Sequence, residues 1–582
     1  MKSNFLISVI TLFVIFTSTI SSNSQNFNGY ALYNKQGSNS VYLIDENSNI
    51  AHSWNCSEEA NYAVLLKPNG NIMRGTKYNN NQLNGAAVGG MVQELDANAN
   101  VVWDYVYSNS DHCSHHDITL IGDNVLLTAW EVKSSSELNA AGYDNANSDK
   151  WATHFVEIAP DGNGGGQIVW EWHIWDHMIQ DTDQNKPSYG VVSDHPQLID
   201  INMISSSGPS GGDWFHVNGV NYNEELDQIA FSSRFSSEIY IIDHSTTTSE
   251  AATHSGGNSG MGGDILYRWG NPSNYDMSGT QVIPAAVHDV RWIKNDGRPN
   301  GGYLQVFNNE GAGNSQSTID AIETPLDPNT GYTYLRTAGQ PFGPSSYSWR
   351  YDCPYDAPGQ SASNRMTNGN VFVNASGGQG GAGIMYEADS TGQIVWTYNA
   401  GGTEKAFRYE CEDPGIINLL NNPCNVSWDC VNNTCVDPGD GTGTYAFLSD
   451  CNSACLIQDS WNCINNTCVD PGDGSGTYSS LSECNTICNT TSINQLPINT
   501  ILTYPNPFQD ILNIEFELSS NQDISITLYN MVGQVIYQDV KKQLTGFYKH
   551  EINTQSFVNG IYLVDIKSSK DGSFIQRTHL IR

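Results

Sequence analysis

The stretch Val92-Gln93-Glu94-Leu95-Asp96-Ala97-Asn98-Ala99-Asn100-Val101-Val102-Trp103 holds an apolar strand, a polar turn and a second strand that ends in an aromatic. The flanking residues alternate in polarity, so the unit reads as a β-hairpin with one buried face. The same order recurs in Val41-Tyr-Leu-Ile-Asp45 to Trp54, Phe155-Val-Glu-Ile158 to Trp170, Ile239-Tyr-Ile-Ile-Asp243 to Trp269 and Met385-Tyr-Glu-Ala-Asp389 to Trp396. A degenerate copy runs from Ile319 to Trp349. Ahead of most copies lies another strand pair, turning at Asn69-Gly70-Asn71, Gly122-Asp123-Asn124 or Asn368-Gly369-Asn370. Two hairpins make a four-stranded sheet, and a series of such sheets at irregular spacing predicts an all-β chain built on a β-propeller. Six blades are expected, with seven the alternative. The segment before Trp54 is expected to complete a blade with the chain near Ala406 to Tyr409.

Outward from the repeats, the chain of 582 residues is long enough for more than one domain. Lys2, the apolar run Phe5 to Phe16 and the small polar residues to Ser24 read as a secretory signal peptide, too short to span a bilayer. A formal net charge of -36 disfavours nucleic acid and anionic membrane as partners. Residues 131 to 150 and 173 to 213 are longer than blade turns require and are expected to form loops over one face. Trp172, His173, Trp175 and His177 are either an aryl pocket or loop packing, with packing favoured.

Eight of the 13 cysteines lie between Cys430 and Cys488. Ser427-Trp-Asp-Cys430 through Tyr445 is repeated as Ser460-Trp-Asn-Cys463 through Tyr478 at a constant offset of 33 (463 − 430, 468 − 435). Outside the cell this tandem duplication reads as disulfide-stapled rather than zinc-binding, with three pairings open per copy. Cys56, Cys113, Cys353, Cys411 and Cys424 are odd in number, so at least one thiol lacks an internal partner. Beyond Leu496, short alternating strands predict a small β-sandwich.

The chemistry-bearing motif is Asp213-Trp-Phe-His216-Val-Asn218, followed by Arg234 in Ser-Ser-Arg. Histidines occupy comparable places in the units on either side, in Ser114-His115-His116-Asp117 and in Ala286-Val287-His288-Asp289. One such histidine is more often structural than chemical. Three at the starts of successive inner strands, with Arg234 and Asn218, would converge on one end of a central channel. They suit either a three-histidine metal site or an anion-transfer site, in which arginine and imidazole donors hold a sulfuryl or phosphoryl group while a histidine attacks. The second reading uses every residue.

Residues 29 to 410 resemble the bacterial arylsulfotransferase family through Asp213-Trp-Phe-His216-Val-Asn218, Arg234, His288-Asp-Val-Arg and Tyr303-Leu-Gln-Val-Phe307-Asn308-Asn309. The resemblance implies a six-bladed propeller moving a sulfuryl group from a phenolic ester to a phenol. It implies His288 as nucleophile, with His116, His216, Asn218 and Arg234 stabilising the transferred group, and no cofactor or metal. Phe307-Asn308-Asn309-Glu310 departs from the family's Phe-Asp-Asn-Gly, and His116 is preferred to His115 because it precedes an aspartate as His288 does. Tyr504-Pro-Asn-Pro-Phe508, the Gly533-Gln534 turn and Gly560-Ile-Tyr resemble the type IX secretion sorting domain of Bacteroidetes. That resemblance implies export through the periplasm to the surface or medium by the secretion machinery, without membrane insertion. The expected layout is a signal peptide at 1–24, propeller at 25–412, Cys-rich repeats at 413–495 and sorting domain at 496–582. A surface binding protein and a His-metal hydrolase on the same scaffold are the competing functions.

Overall fold

A computed structural model describes residues 28–420, apart from 163, 205–211, 280 and 314, and discontinuous stretches of 423–580. The signal peptide therefore lies outside the described residues, as do Cys484 and Cys488. The chain divides into two compact units, Met1–Asp429 with Cys435–Cys451, and Cys430–Thr434 with Asn452–Arg582.

Six four-stranded antiparallel sheets form the first unit. Counted from the innermost strand outward, blade 2 is Ala60–Leu66, Ile72–Lys77, Gly90–Leu95 and Val101–Val106, and blade 3 is His112–Ile121, Asn124–Lys133, Lys150–Pro160 and Gly166–His173. Blade 4 is Val217–Asn223, Gln228–Ser233, Glu238–Asp243 and Tyr267–Gly270. Blade 5 is Val287–Trp292, Leu304–Asn308, Thr318–Ile322 and Trp349–Asp352, so the degenerate repeat is a true blade. Blade 6 is Ala362–Arg365, Val371–Ala375, Ile384–Ala388 and Ile394–Asn399. Blade 1 takes its inner strand, Ala406–Glu410, from the end of the propeller and its other three, Gly29–Asn34, Ser40–Ile44 and Ile50–Asn55, from the beginning. Each inner strand touches the next, and Ala406–Glu410 touches Ala60–Leu66, so the ring is closed.

The repeated Asp and Trp explain why the blades form and why they stay together. In each turn the aspartate accepts two backbone N–H groups: Asp45 from Asn47 and Asn49, Asp96 from Asn98 and Asn100, Asp389 from Thr391 and Gln393. The turn then closes through a left-handed residue, Ser48, Ala99 or Gly392, with a bulge at the start of the strand that follows it. The Trp of each outer strand reaches the next blade. Trp54 Nε1 donates to Asp96 O at 3.0 Å, Trp103 to Gly165 O at 2.9 Å, Trp170 to Thr246 Oγ1 at 3.1 Å and Trp269 to Pro344 O at 2.7 Å. These side chains are buried, so truncating one removes both packing and a satisfied indole, at about 3–5 kcal/mol.

Strands alternate in direction, so both insertions, 134–149 and 174–216, leave from the face where the inner strands begin. They carry the short helix Ser135–Ala141, capped by Ser134 and Glu137, and the strand pair Met178–Ile179 and Ile199–Asp200. The aromatic cluster is packing: Trp172 is fully buried with its indole on Gly263 O, and both His177 nitrogens are bonded, to Asp264 and to Ala251 O.

The first Cys-rich copy pairs Cys430 with Cys455 and Cys435 with Cys451, while Cys56, Cys113 and Cys353 are free and buried. Cys411, Cys463 and Cys468 are also disulfide-bonded. Asp429 Oδ1 accepts the Thr444 N–H at 2.8 Å, and Asn462 Oδ1 accepts that of Thr477 at 2.9 Å, so the duplication is structural as well as textual. In the C-terminal sheet the long strand Ile511–Asn530 pairs with Asn499–Tyr504 through its first half and with Gly560–Ser568 through its second. A register break after Leu518 separates the halves, and Ile514 and Phe516 share one core with Ile526, Leu528 and Val564. The sandwich is thus a single sheet folded on itself. Among the described residues no helix is long and apolar enough to cross a membrane.

Candidate active site

The inner strands of blades 3, 4 and 5 are all irregular where the histidines sit. Register is lost between Ser114 and Ile118, between Val217 and Gly219, and between His288 and Arg291. His116 and His216 hold left-handed backbone conformations, φ 49° and 50°, and Asp289 does so at 54°. Such φ values are costly for residues with a Cβ and persist where surrounding contacts over-determine them. Here they turn imidazoles off the pleat and into the channel. Gly219 permits the close approach of blades 4 and 5: a Cβ there would lie 2.8 Å from the Asp289 backbone nitrogen.

His116 and His216 meet edge to face, with ring centroids 4.7 Å apart. His115 points away from that contact and stacks on Trp130 at 4.1 Å, touching His116 through a 2.7 Å Nδ1–Nδ1 hydrogen bond. Of the adjacent pair, His116 is the one beside His216. His216 Nδ1 lies 2.5 Å from Asp213 Oδ2, and Trp130 Nε1 donates to Asp213 Oδ1 at 3.1 Å. Burial pushes the Asp213 carboxyl upward, but the bonds from His216 and Trp130 outweigh it and hold the group below its usual range.

His288 is fully buried. Its Nδ1 is within 2.7 Å of both Ala286 O and Asn309 Oδ1, while Nε2 has no hydrogen-bond partner. Asn309 donates through Nδ2 to Ala357 O at 2.7 Å and to Gln360 O at 3.2 Å, which fixes the orientation of its amide. Two acceptors at Nδ1 place the proton there and leave a lone pair on Nε2. Burial, and then the charges of Arg234 and His216, push the proton affinity of His288 well below the ordinary histidine value. His116 is lowered well below it too, first by burial and then by His216 and His115, and its Nε2 is also unpartnered. Both rings are therefore neutral near pH 7.

Arg234 follows the second strand of blade 4; its backbone N–H donates to His216 O at 3.2 Å and its Nη1 to Pro358 O at 3.2 Å. It is partly buried, and burial lowers its pKa while Glu310 opposes the shift. Asn218 donates to Val287 O at 2.8 Å and accepts from Ser232 Oγ at 2.7 Å, tying the strand of His216 to the residue before His288. One amide proton remains for a ligand. The departure at Asn308 is accommodated within blade 5, where its side chain takes the Ala285 N–H and donates to Asp320.

Beneath the histidines, Lys405 Nζ lies 2.6 Å from Asp117 and 3.2 Å from Asp289, and Arg291 completes the network on Asp289 at 2.9 Å. The aspartates that follow His116 and His288 thus clamp three inner strands together across the channel. Lys405, Asp213 and Asn309 were not among the expected site residues. Among the described residues of the propeller, two groups bring three potential metal ligands within 4.8 Å: Glu131, His154 and His173, and His177, His254 and Asp264. Neither contains a channel histidine.

The Arylsulfotransferase (ASST) family profile matches residues 17–329, more than half of the 582 residues. The chain belongs to this family. His116, His216, Asn218, Arg234, His288 and Asn309 all fall within the matched segment, and this arylsulfotransferase-family propeller continues beyond it to Glu410. Residues 502–579 match the Secretion system C-terminal sorting domain, so the protein is exported to the cell surface or beyond. No curated protein matches the chain. Similar solved structures include a protein of unknown function from Bacteroides caccae, 12% identical over 66% of this chain and 98% of that one, at a TM-score of 0.35. Kuenenia stuttgartiensis hydrazine synthase is 14% identical over 50% and 66%, at 0.30, and apo AztD from Citrobacter koseri is 9% identical over 64% and 83%, at 0.28.

Proposed function

We propose that this protein transfers a sulfuryl group from a phenolic sulfate ester to a phenol through a sulfohistidine at His288. The observation that carries the reading is the buried His288 imidazole, with Nδ1 doubly anchored and Nε2 unpartnered. A neutral imidazole whose proton is pinned on the far nitrogen is a competent nucleophile. In the first half-reaction Nε2 forms an N–S bond, the S–O bond to the aryl group breaks, and the phenolate leaves with the electron pair. In the second, the acceptor phenol gives up its proton, its oxygen attacks sulfur, and the N–S bond breaks.

The sulfuryl oxygens carry negative charge throughout, so fixed donors suffice to stabilise both steps. Arg234 supplies a planar cation, and Asn218 retains one N–H. His116 and His216 complete the set, and the Asp213 contact orients His216 to hold or return a proton at Nε2. A local cation is required because the chain as a whole repels anions. Small aryl sulfates and phenols are the substrates proposed, and the secretion machinery is the partner proposed for the sorting domain.

The test is release of p-nitrophenol from p-nitrophenyl sulfate by the purified protein, with and without phenol and with and without chelator. The proposal expects release that depends on phenol and ignores chelator. Release lost to chelator would move the reading to a metal hydrolase, and no release with any phenol would move it to a binding propeller.

A further inference from the structure

The inner strands end at the face opposite the insertions, and there they enclose a second site. A cavity of about 150 Å³ is lined by Arg291, Lys294, Arg298, Arg365 and Arg408, with Glu410 and Asp413 the acidic residues of its wall. Five of the chain's 25 lysines and arginines meet in this one cavity, although acidic residues outnumber basic ones by 61 to 25 overall. The cluster is not a solvated charge run, because Arg298, Arg365 and Arg408 are buried.

Internal ion pairs account for part of it. Arg291 is held by Asp289, and Arg298 by Asp296 at 2.5 Å and Glu410 at 3.1 Å. Arg408 lies 3.4 Å from Glu387. Arg365 is different. It is 5% exposed, stacks on Trp349 at 3.8 Å, and makes one long 3.4 Å contact from Nη1 to Gly369 O. Its Nε and Nη2 are buried without a partner, and no carboxylate pairs with it among the described residues. Burial alone lowers its pKa to about 10. Nε and Nη2 lie on one edge of the guanidinium plane and form the fork that grips two oxygens of one anion. Arg298 Nη1 donates to Arg365 O at 2.6 Å and fixes the strand end that presents it.

We propose that this cavity is an oxyanion site, taking a small tetrahedral dianion such as inorganic sulfate or phosphate on the Arg365 fork, with Lys294 at its rim. Its lining comes from the inner strands of blades 5, 6, 1 and 2, so a bound anion bridges the seam where the ring closes. Occupancy therefore stabilises the closed propeller. The site lies at the other end of the inner strands from His288, and it does not depend on what His288 does.

The test uses the full exported chain. Crystals soaked in sodium selenate, a sulfate mimic with an anomalous scatterer, are expected to show a selenium peak within hydrogen-bond distance of Arg365 Nε and Nη2. Calorimetric titration with sulfate, and separately with phosphate, in chloride buffer of constant ionic strength identifies which dianion binds more tightly. In Arg365→Gln the peak is expected to vanish and affinity to fall by about tenfold or more, while aryl sulfate transfer persists. Should that variant fail to fold, Lys294→Gln at the exposed rim is expected to weaken binding by about two- to threefold. An empty cavity in soaked wild-type crystals, or equal affinity in wild type and both variants, would overturn the proposal. Neither result bears on transfer at His288.

Discussion

Replacing Asn309 by alanine is a graded test of how His288 is held. The substitution deletes the 2.7 Å contact between Asn309 Oδ1 and His288 Nδ1, and leaves the equally short contact to Ala286 O in place. The tautomer should survive, since one acceptor still claims the Nδ1 proton, while the ring loses the anchor that fixes its plane. A neutral hydrogen bond of this kind is worth about 1 kcal/mol net, and each ~1.4 kcal/mol on a barrier is about tenfold in rate. The expected result is a five- to tenfold fall in kcat, roughly, with KM for donor and acceptor unchanged, because Asn309 contacts the nucleophile and not the substrate. Steady-state kinetics with p-nitrophenyl sulfate and varied phenol measure both constants. Asn309→Asp should not restore activity, since the carboxylate's second oxygen would face the Ala357 and Gln360 carbonyls that the amide N–H groups now satisfy. A loss of 10³-fold or more in Asn309→Ala, or a change confined to KM, would refute the positioning role as argued.

Arg234→Lys should lower turnover at least tenfold although charge is kept, because an ammonium cannot present two parallel donors to sulfuryl oxygens; wild-type rates would count against the clamp. Lys405→Met removes the cation between Asp117 and Asp289 and should cost about 3–5 kcal/mol, read from denaturant unfolding, with a milder loss if Asp117→Asn accompanies it. His244 is bracketed by Asp227 at 2.7 Å and Glu157 at 2.9 Å; burial works against its charge, but these bonds raise its pKa to about 9. A raised histidine stabilises the fold fully below its unfolded value of about 6.5 and loses that contribution as pH climbs through 9, so stability should fall by about 2–3 kcal/mol across that window, and His244→Gln should flatten the profile.

The propeller was legible because its two repeated signals are local. The aspartate closes its own turn, and the outer-strand Trp is spaced from it by the hairpin it ends. Even the closing strand near Ala406 could be read, since the three strands ending at Asn55 lack a fourth. His116, His216, Asn218, Arg234 and His288 could be named because they sit at strand starts whose register the repeat defines. The groups that orient them could not. Asn309 follows the strand paired with that of His288 and meets it only once the blade's register is set, while Lys405 precedes the closing strand, 288 residues from Asp117, and reaches its partner only when the ring is closed. The left-handed turns at His116 and His216 were equally hidden, because nothing in the local sequence demands a positive φ from a histidine. Arg365 was hidden for the same reason: the cavity it lines is completed by residues of blades 5, 1 and 2.

His288 Nε2 is the proposed acceptor of the sulfuryl group. Incubating the protein with p-nitrophenyl sulfate alone, quenching at mildly alkaline pH and locating the added mass by peptide mass spectrometry tests it directly. One sulfuryl group is expected on the peptide containing His288, discharged by added phenol and absent from His288→Asn. Label on His116, His216 or any other residue, or full transfer activity in His288→Asn, would contradict it.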